Sequence, residues 1–216
     1  PPQDSLVYHE AFDGTLTAGT QHVGTTLTFQ NGIRSQAAKF DATQRAERIV
    51  DGFNADAAWS IGFWMLPDGS LSCPVSKIEP EGDRRGLEVL WQKGRLTVNL
   101  VSRWGVDAIE VLTTTPPSGG PWHQFVVCYD GSRSAKGVRI FVEGVAAETH
   151  VQRDSLSGSI SNDRPLLIGR RDSGLGYYGQ LDELRILQRT FDATEIANWF
   201  YAERIRGVVE APAASR

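Results

Sequence analysis

The chain has 216 residues, a formal net charge of -4 from 22 basic and 26 acidic side chains, and 40% hydrophobic residues. Such a length buries a substantial core in one domain, and the interspersed charge leaves no nucleic-acid footprint. No apolar run approaches membrane-spanning length and no signal-peptide pattern opens the sequence, so an export signal is expected outside these residues.

Short apolar or alternating runs recur along the chain: Thr26–Phe29, Ser60–Leu66, Leu87–Trp91, Leu96–Val101, Phe125–Tyr129, Val138–Val142 and Leu181–Leu187. Turn chemistry separates them at Asn31-Gly32, Lys93-Gly94, Asp130-Gly131 and Glu143-Gly144. Many short strands with such punctuation predict an antiparallel sandwich or barrel. The strand over Gly179–Ile186 is the most informative. Simple alternation puts Leu181, Glu183 and Arg185 on one side and Asp182, Leu184 and Ile186 on the other. A lone aspartate on an apolar face needs donors or a cation. A helical period persists only over Ala193–Ile205, opened by Asp192 with Glu195 three residues on, as in a capping box. Its stripe of Ile196, Trp199, Phe200 and Ile205 is expected against one edge of the sandwich, with a partner-binding surface as the other reading. The sequence divides into one domain over 1–207 and a linker-like tail over 208–216.

Five segments in order carry a family resemblance: Trp59–Pro67, Trp122–Ser132, Val138–Gly144, Leu166–Gly169 and the Gly-x-Leu-Asp-Glu-Leu-Arg-Ile run from Gly179. Together they resemble LamG-like, concanavalin A-type jelly rolls from about Tyr8 to Trp199. The resemblance implies an all-β, two-sheet antiparallel jelly-roll sandwich with a short C-terminal helix. The segment from Arg103 to Pro117 is further similar to LamG-type domains of large exported bacterial proteins with cytochrome-c-like domains. That likeness implies an extracellular, periplasmic or cell-surface setting and neighbouring domains of a parent protein as partners.

The fold also hosts glucanases, which set Glu-x-Asp-x-Glu on one strand so that the carboxylates share a cleft. The one Glu-x-Asp here, Glu81-Gly82-Asp83, lies in a Gly/Pro/charge-rich loop followed by Arg84-Arg85, and no nucleophile elbow or phosphate loop appears. The expectation is a non-catalytic domain. In the related jelly rolls a structural calcium often joins the first strand to the last. The matching position is Asp182, with Asp13 as N-terminal counterpart; amide donors or an arginine would satisfy Asp182 equally well. Sugar rings stack on aromatic side chains while flanking polar groups bond the hydroxyls. Trp59, Trp64 and Trp122 match core positions. The aromatic loop residues beside glycines and charges are Trp104, with Arg103 and Asp107, and Tyr177, with Arg171 and Asp172. These six form the expected glycan or polysaccharide site, with their loops converging on one rim. An interaction module that positions a catalytic or redox neighbour is the alternative role. Cys73 and Cys128 fit no metal or redox spacing and are left as either a disulfide or two buried thiols.

Overall fold

The computed structural model describes residues 3–69, 71–172 and 174–210, with side chains as far as Ile205. In chain order the first strands are β1 (Leu6–Glu10), β2 (Gln21–Val23), β3 (Thr28–Asn31), β4 (Gln36–Asp41), β5 (Arg45–Arg48) and β6 (Trp59–Pro67). Next come β7 (Leu71–Ile78), β8 (Gly86–Gln92), β9 (Arg95–Arg103), β10 (Asp107–Thr113), β11 (His123–Tyr129) and β12 (Val138–Val142). The series ends with β13 (Val145–Ala146), β14 (Thr149–Asp154), β15 (Leu166–Ile168), β16 (Arg170–Arg171), β17 (Leu175–Gly176), β18 (Tyr178–Leu187) and helix α1 (Ala193–Glu210).

Two eight-stranded antiparallel sheets pack face to face as a jelly roll. Sheet A runs β13-β12-β11-β6-β18-β4-β3, with β1 also paired to β18, and sheet B runs β14-β10-β9-β8-β7-β15-β5-β2. The apolar positions of the alternating runs meet between the sheets: Ile61, Phe63 and Met65 from sheet A face Val89, Val98, Leu100 and Val111 from sheet B. Phe125 stacks on Phe63 and meets Trp91 edge-on, so Trp91 belongs to this core. Cys73 and Cys128 are free, buried and on different sheets; burial pushes both thiols up.

The simple alternation expected for β18 breaks at one residue. The register against β6 shifts between Asp182 and Arg185, and Glu183 sits at φ 54°. This extra residue is a β-bulge, and it reverses the parity of everything after it. Leu181, Leu184 and Ile186 all enter the core, while Asp182, Arg185 and Leu187 turn to the outer face of sheet A. The bulge lies where β18 exchanges one neighbour for another. Its first half pairs with β4 and its second half with β1.

Helix α1 lies across the outer face of sheet A instead of at an edge. Ile196 and Trp199 join Val126, Cys128, Phe141, Leu187 and Phe191 in a second apolar cluster there. Phe200 stacks on Trp64 with ring centroids 5.6 Å apart. Ile205, expected on the same stripe, is exposed: six residues past Trp199, it has rotated away from the sheet at 100° per residue. The helix continues to Glu210, so residues 208–210 are helical, and the rest of the tail lies outside the described residues.

Gly62 on β6 makes this seat. A Cβ there would lie 2.2 Å from Trp199 Cη2, inside a rigid ring that has nowhere to retreat. Gly62→Ala is therefore expected to cost about 1–3 kcal/mol by overpacking. A thermal melt reads this directly, and a wild-type melting temperature would contradict the seating of Trp199.

Candidate functional site

The outward face of sheet B carries a polar row made by strand register. Arg153 of β14 pairs with Glu110 of β10, Glu110 with Asn99 of β9, Asn99 with Glu88 of β8, and Glu88 with Ser76 of β7. Cross-strand partners share a face, and their sequence neighbours Leu87, Val89, Val98, Leu100, Ile109 and Val111 point into the core. Beside this row runs a small apolar one, Ala108, Val101 and Ile78.

Walls shelter the row. The β16–β17 ribbon lies over β7, where Ser76 Oγ donates to the Arg170 carbonyl at 3.0 Å. Arg171 reaches from that ribbon to Glu88 Oε2 at 3.3 Å, while Asn99 Nδ2 donates to Glu88 Oε1 at 3.0 Å. Both Glu88 oxygens are thus engaged, and the residue is fully buried although it points away from the core. At the other end the β9–β10 turn projects Trp104, whose backbone amide donates to the Asp83 carbonyl of the β7–β8 hairpin. The Arg84 guanidinium lies 4.1 Å from the Trp104 ring centroid. Asn99, Val101, Trp104, Gly105, Ala108, Glu110 and Arg153 line a depression of about 120 Å³. Glu79, Pro80, Arg84, Arg171 and Asp172 line a smaller one of about 90 Å³.

The six residues expected to bind ligand divide. Trp104, Arg171 and Asp172 border this one region, linked through Arg84. Trp104 is 41% exposed. Arg103 is exposed on the same turn. Asp107 faces elsewhere: it accepts the backbone amides of Ser157 and Gly158 and so fastens the loop after β14. Tyr177 is a correction. It is completely buried, edge-on to Phe40, and donates its hydroxyl to the Gln180 carbonyl, so its ring faces the core and offers no stacking surface. The chain inverts it because β16–β17 hairpins outward just before it. Sequence reading missed Glu88, Asn99, Glu110, Arg153 and Arg84. Their signal was a polar residue inside an apolar run, but only register shows that they align.

Asp182 sits at the β18 bulge. Its Oδ2 accepts the amides of Ile33 at 2.9 Å and Arg34 at 3.2 Å, and a Cβ on Gly32 would meet that oxygen at 2.5 Å. Its Oδ1 is buried with no partner among the described residues. Burial pushes its carboxyl up to about 8; the Arg34 and Ile33 amides pull the other way, and the Glu183 and Asp13 carboxylates add to the rise. Asp13 itself is exposed and accepts the Gln36 amide. No group of three or more His, Cys, Asp or Glu side chains placed for a metal occurs among the described residues. A cation here would draw most of its oxygens from the backbone. A buried orphan carboxylate oxygen beside a second carboxylate fits a hard cation of the calcium type.

Two antiparallel sheets packed face to face define the jelly-roll class of fold. The chain belongs to the concanavalin A-like lectin/glucanases superfamily, whose laminin-G-type family model matches residues 34–197. No curated protein sequence matches the chain. Among solved structures it is similar to domain 4 of AbnA, an extracellular GH43 arabinanase from Geobacillus stearothermophilus, solved with arabinotriose. There the TM-score is 0.61 at 15% identity, covering 91% of this chain and 98% of that one. It is also similar to the binding domain of Paraclostridial Mosquitocidal Protein 1, with TM-score 0.63, 15% identity and coverage of 92% and 52%. A third is the binding domain of botulinum neurotoxin DC in complex with SialylT, with TM-score 0.66, 12% identity and coverage of 93% and 52%. The chain spans about half the length of these toxin binding domains. At such identities the likeness establishes the fold.

Proposed function

We propose that the domain is a non-catalytic, lectin-like carbohydrate-binding module of an exported protein, holding glycan across the outer face of sheet B. The observation that carries this reading is the polar row from Arg153 to Ser76, flanked by Trp104 and walled by Arg171. Where the row is open, Arg153 supplies donors, Glu110 an acceptor and Asn99 an amide, as sugar hydroxyls require, beside the exposed ring of Trp104; Glu88 and Ser76 are buried under the wall. Arg84 covers part of that ring, so stacking is confined to the free remainder. Structures of similar fold solved with arabinotriose and with SialylT support the class of partner. Glu88 serves to position Asn99 and Arg171, not to transfer protons, because both its oxygens are committed. Glu81 and Asp83 sit exposed in the β7–β8 turn, off any strand.

The same reading includes one structural calcium, held by Asp182 with Asp13 and backbone oxygens. Its charge would neutralise the buried carboxylate and fasten the N-terminal segment to β18.

The test is a glycan array with the purified domain, followed by titration of the strongest glycan. Trp104→Ala is expected to weaken binding by about 1 kcal/mol, roughly fivefold, with an unchanged melt. Absence of any glycan binding, or full affinity in Trp104→Ala, would remove this site. A protein-interaction role is the second reading. It is favoured by exposed Val145, Tyr201 and Ile205 around the α1 side of the molecule, where Pro116, Pro117 and Ala146 line a groove of about 500 Å³.

A further inference from the structure

At one end of the sandwich three connections line a cavity of about 410 Å³ that neighbours the sheet B site, with Glu79 at the boundary between them. Asp51 and Asn54 come from the segment before β6, Lys77, Glu79 and Arg85 from the β7–β8 hairpin, and Asn162 and Asp163 from the segment before β15. The three are bonded to one another. Asn162 Nδ2 donates to the Lys77 and Arg85 carbonyls, at 3.2 and 2.8 Å, and Ser161 Oγ donates to the Phe53 carbonyl. Gly86 permits this approach, since a Cβ there would lie 2.0 Å from the Lys77 carbonyl oxygen. The cavity is therefore preformed.

Lys77 is its distinguishing feature. The residue is 6% exposed, and among the described residues its ammonium donates only to the Arg164 carbonyl. Two of its three hydrogens are left over. Asp51 and Asp163 act on it through space, but neither forms an ion pair with it among the described residues. A buried ammonium with spare donors lines the same cavity as these carboxylates, which suits an atom that accepts from the one and donates to the other. Hydroxyl oxygens do both. A phosphate or carboxylate ligand would meet three carboxylates, Asp51, Glu79 and Asp163, and a metal ion would meet Lys77 and Arg85. No aromatic face is open here, since the lining Phe53 is buried. Recognition would run through hydroxyls at the rim of a ring and not through its faces.

We infer that this cavity is a second binding site, built for the hydroxyl-rich end residue of a glycan chain, with adjacent hydroxyls bridging Lys77 to Asp51 and Asp163. The inference rests on the carbohydrate reading above but uses different residues. Its volume suits one or two sugar rings.

The experiment is an array carrying each oligosaccharide in two forms, one with a free and one with an O-methylated non-reducing end. Wild type is expected to lose tenfold or more of its signal on methylation. Asp51→Asn and Asp163→Asn, both at exposed positions, should erase that preference. Lys77→Met should do the same where its melt shows it folded. Trp104→Ala should keep the end preference while binding chains more weakly. Equal binding of free and methylated ends, or an end preference intact in Asp51→Asn and Asp163→Asn, overturns the cavity site and leaves the sheet B site standing. No binding of any glycan overturns both.

Discussion

Replacing Glu203 by alanine is expected to lower stability by about 3–5 kcal/mol, the cost of breaking a buried ion pair from one side. Glu203 projects from α1 and is 1% exposed. Its Oε2 accepts Trp64 Nε1 at 2.6 Å and Gln124 Nε2 at 2.9 Å, and its Oε1 accepts Arg185 Nη1. Those donors sit on β6, β11 and β18, so one carboxylate ties the helix to three neighbouring strands. Arg185 is equally buried and is shared with Glu183, which also receives His9 and Arg34. Truncation at 203 leaves a buried indole N–H and a buried amide without their acceptor and takes from Arg185 one of its two carboxylate partners. For a domain of this size each kcal/mol moves the midpoint by about 2–4 °C, so a loss of about 10 °C is expected. Glu203→Gln keeps the shape but removes the charge and should fall between wild type and alanine. A wild-type melt for Glu203→Ala would mean that the helix is held by its apolar face alone, through Trp199 and Ile196.

The strands were legible because their apolar residues recur with period two and their turns carry Asn-Gly, Lys-Gly or Asp-Gly pairs. Strand pairing was not. Glu88, Asn99 and Glu110 each interrupt an apolar run by one residue, which sequence permits reading as an outward position. Nothing in three separate runs says that the three positions lie abreast. The β18 bulge was invisible for a related reason. Glu183 adopts a left-handed conformation without being glycine, because its carboxylate is held by His9, Arg34 and Arg185, which come from elsewhere in the chain or beyond the bulge. Local propensity contains no trace of partners that arrive by folding. Aromatic residues failed in the same way. Tyr177 and Trp104 both sit beside glycine in charged loops, yet a two-residue ribbon turns one into the core and the β9–β10 turn leaves the other at the surface. The helix stripe was legible as far as Phe200. Its seat was not, since a missing side chain at Gly62 is a hole recognised only once the indole is seen in it.

Asp182 yields the second large expectation, in two parts with opposite conditions. Without calcium its folded carboxyl holds a proton up to about 8, against an ordinary value of 3.8 in the unfolded chain. Between those limits the folded state binds the extra proton, so stability is fully present below about 4 and is lost as pH rises toward 8. In chelator the melting temperature should therefore fall steadily from pH 5 to pH 8. Asp182→Asn, which keeps an acceptor for the Ile33 and Arg34 amides but cannot ionise, should flatten that slope. Calcium binds the carboxylate form and competes with this proton. Added at a hundredfold excess over its dissociation constant, it should contribute about 2.7 kcal/mol at pH 8. The gain should shrink as acid restores the proton, and it should vanish in Asp182→Asn. Equal melting of wild type with calcium and with chelator at pH 8 would sink the calcium proposal. A pH-independent melt in chelator would instead mean that Asp182 is ionised in the folded chain, with the Ile33 and Arg34 backbone amides as its compensation.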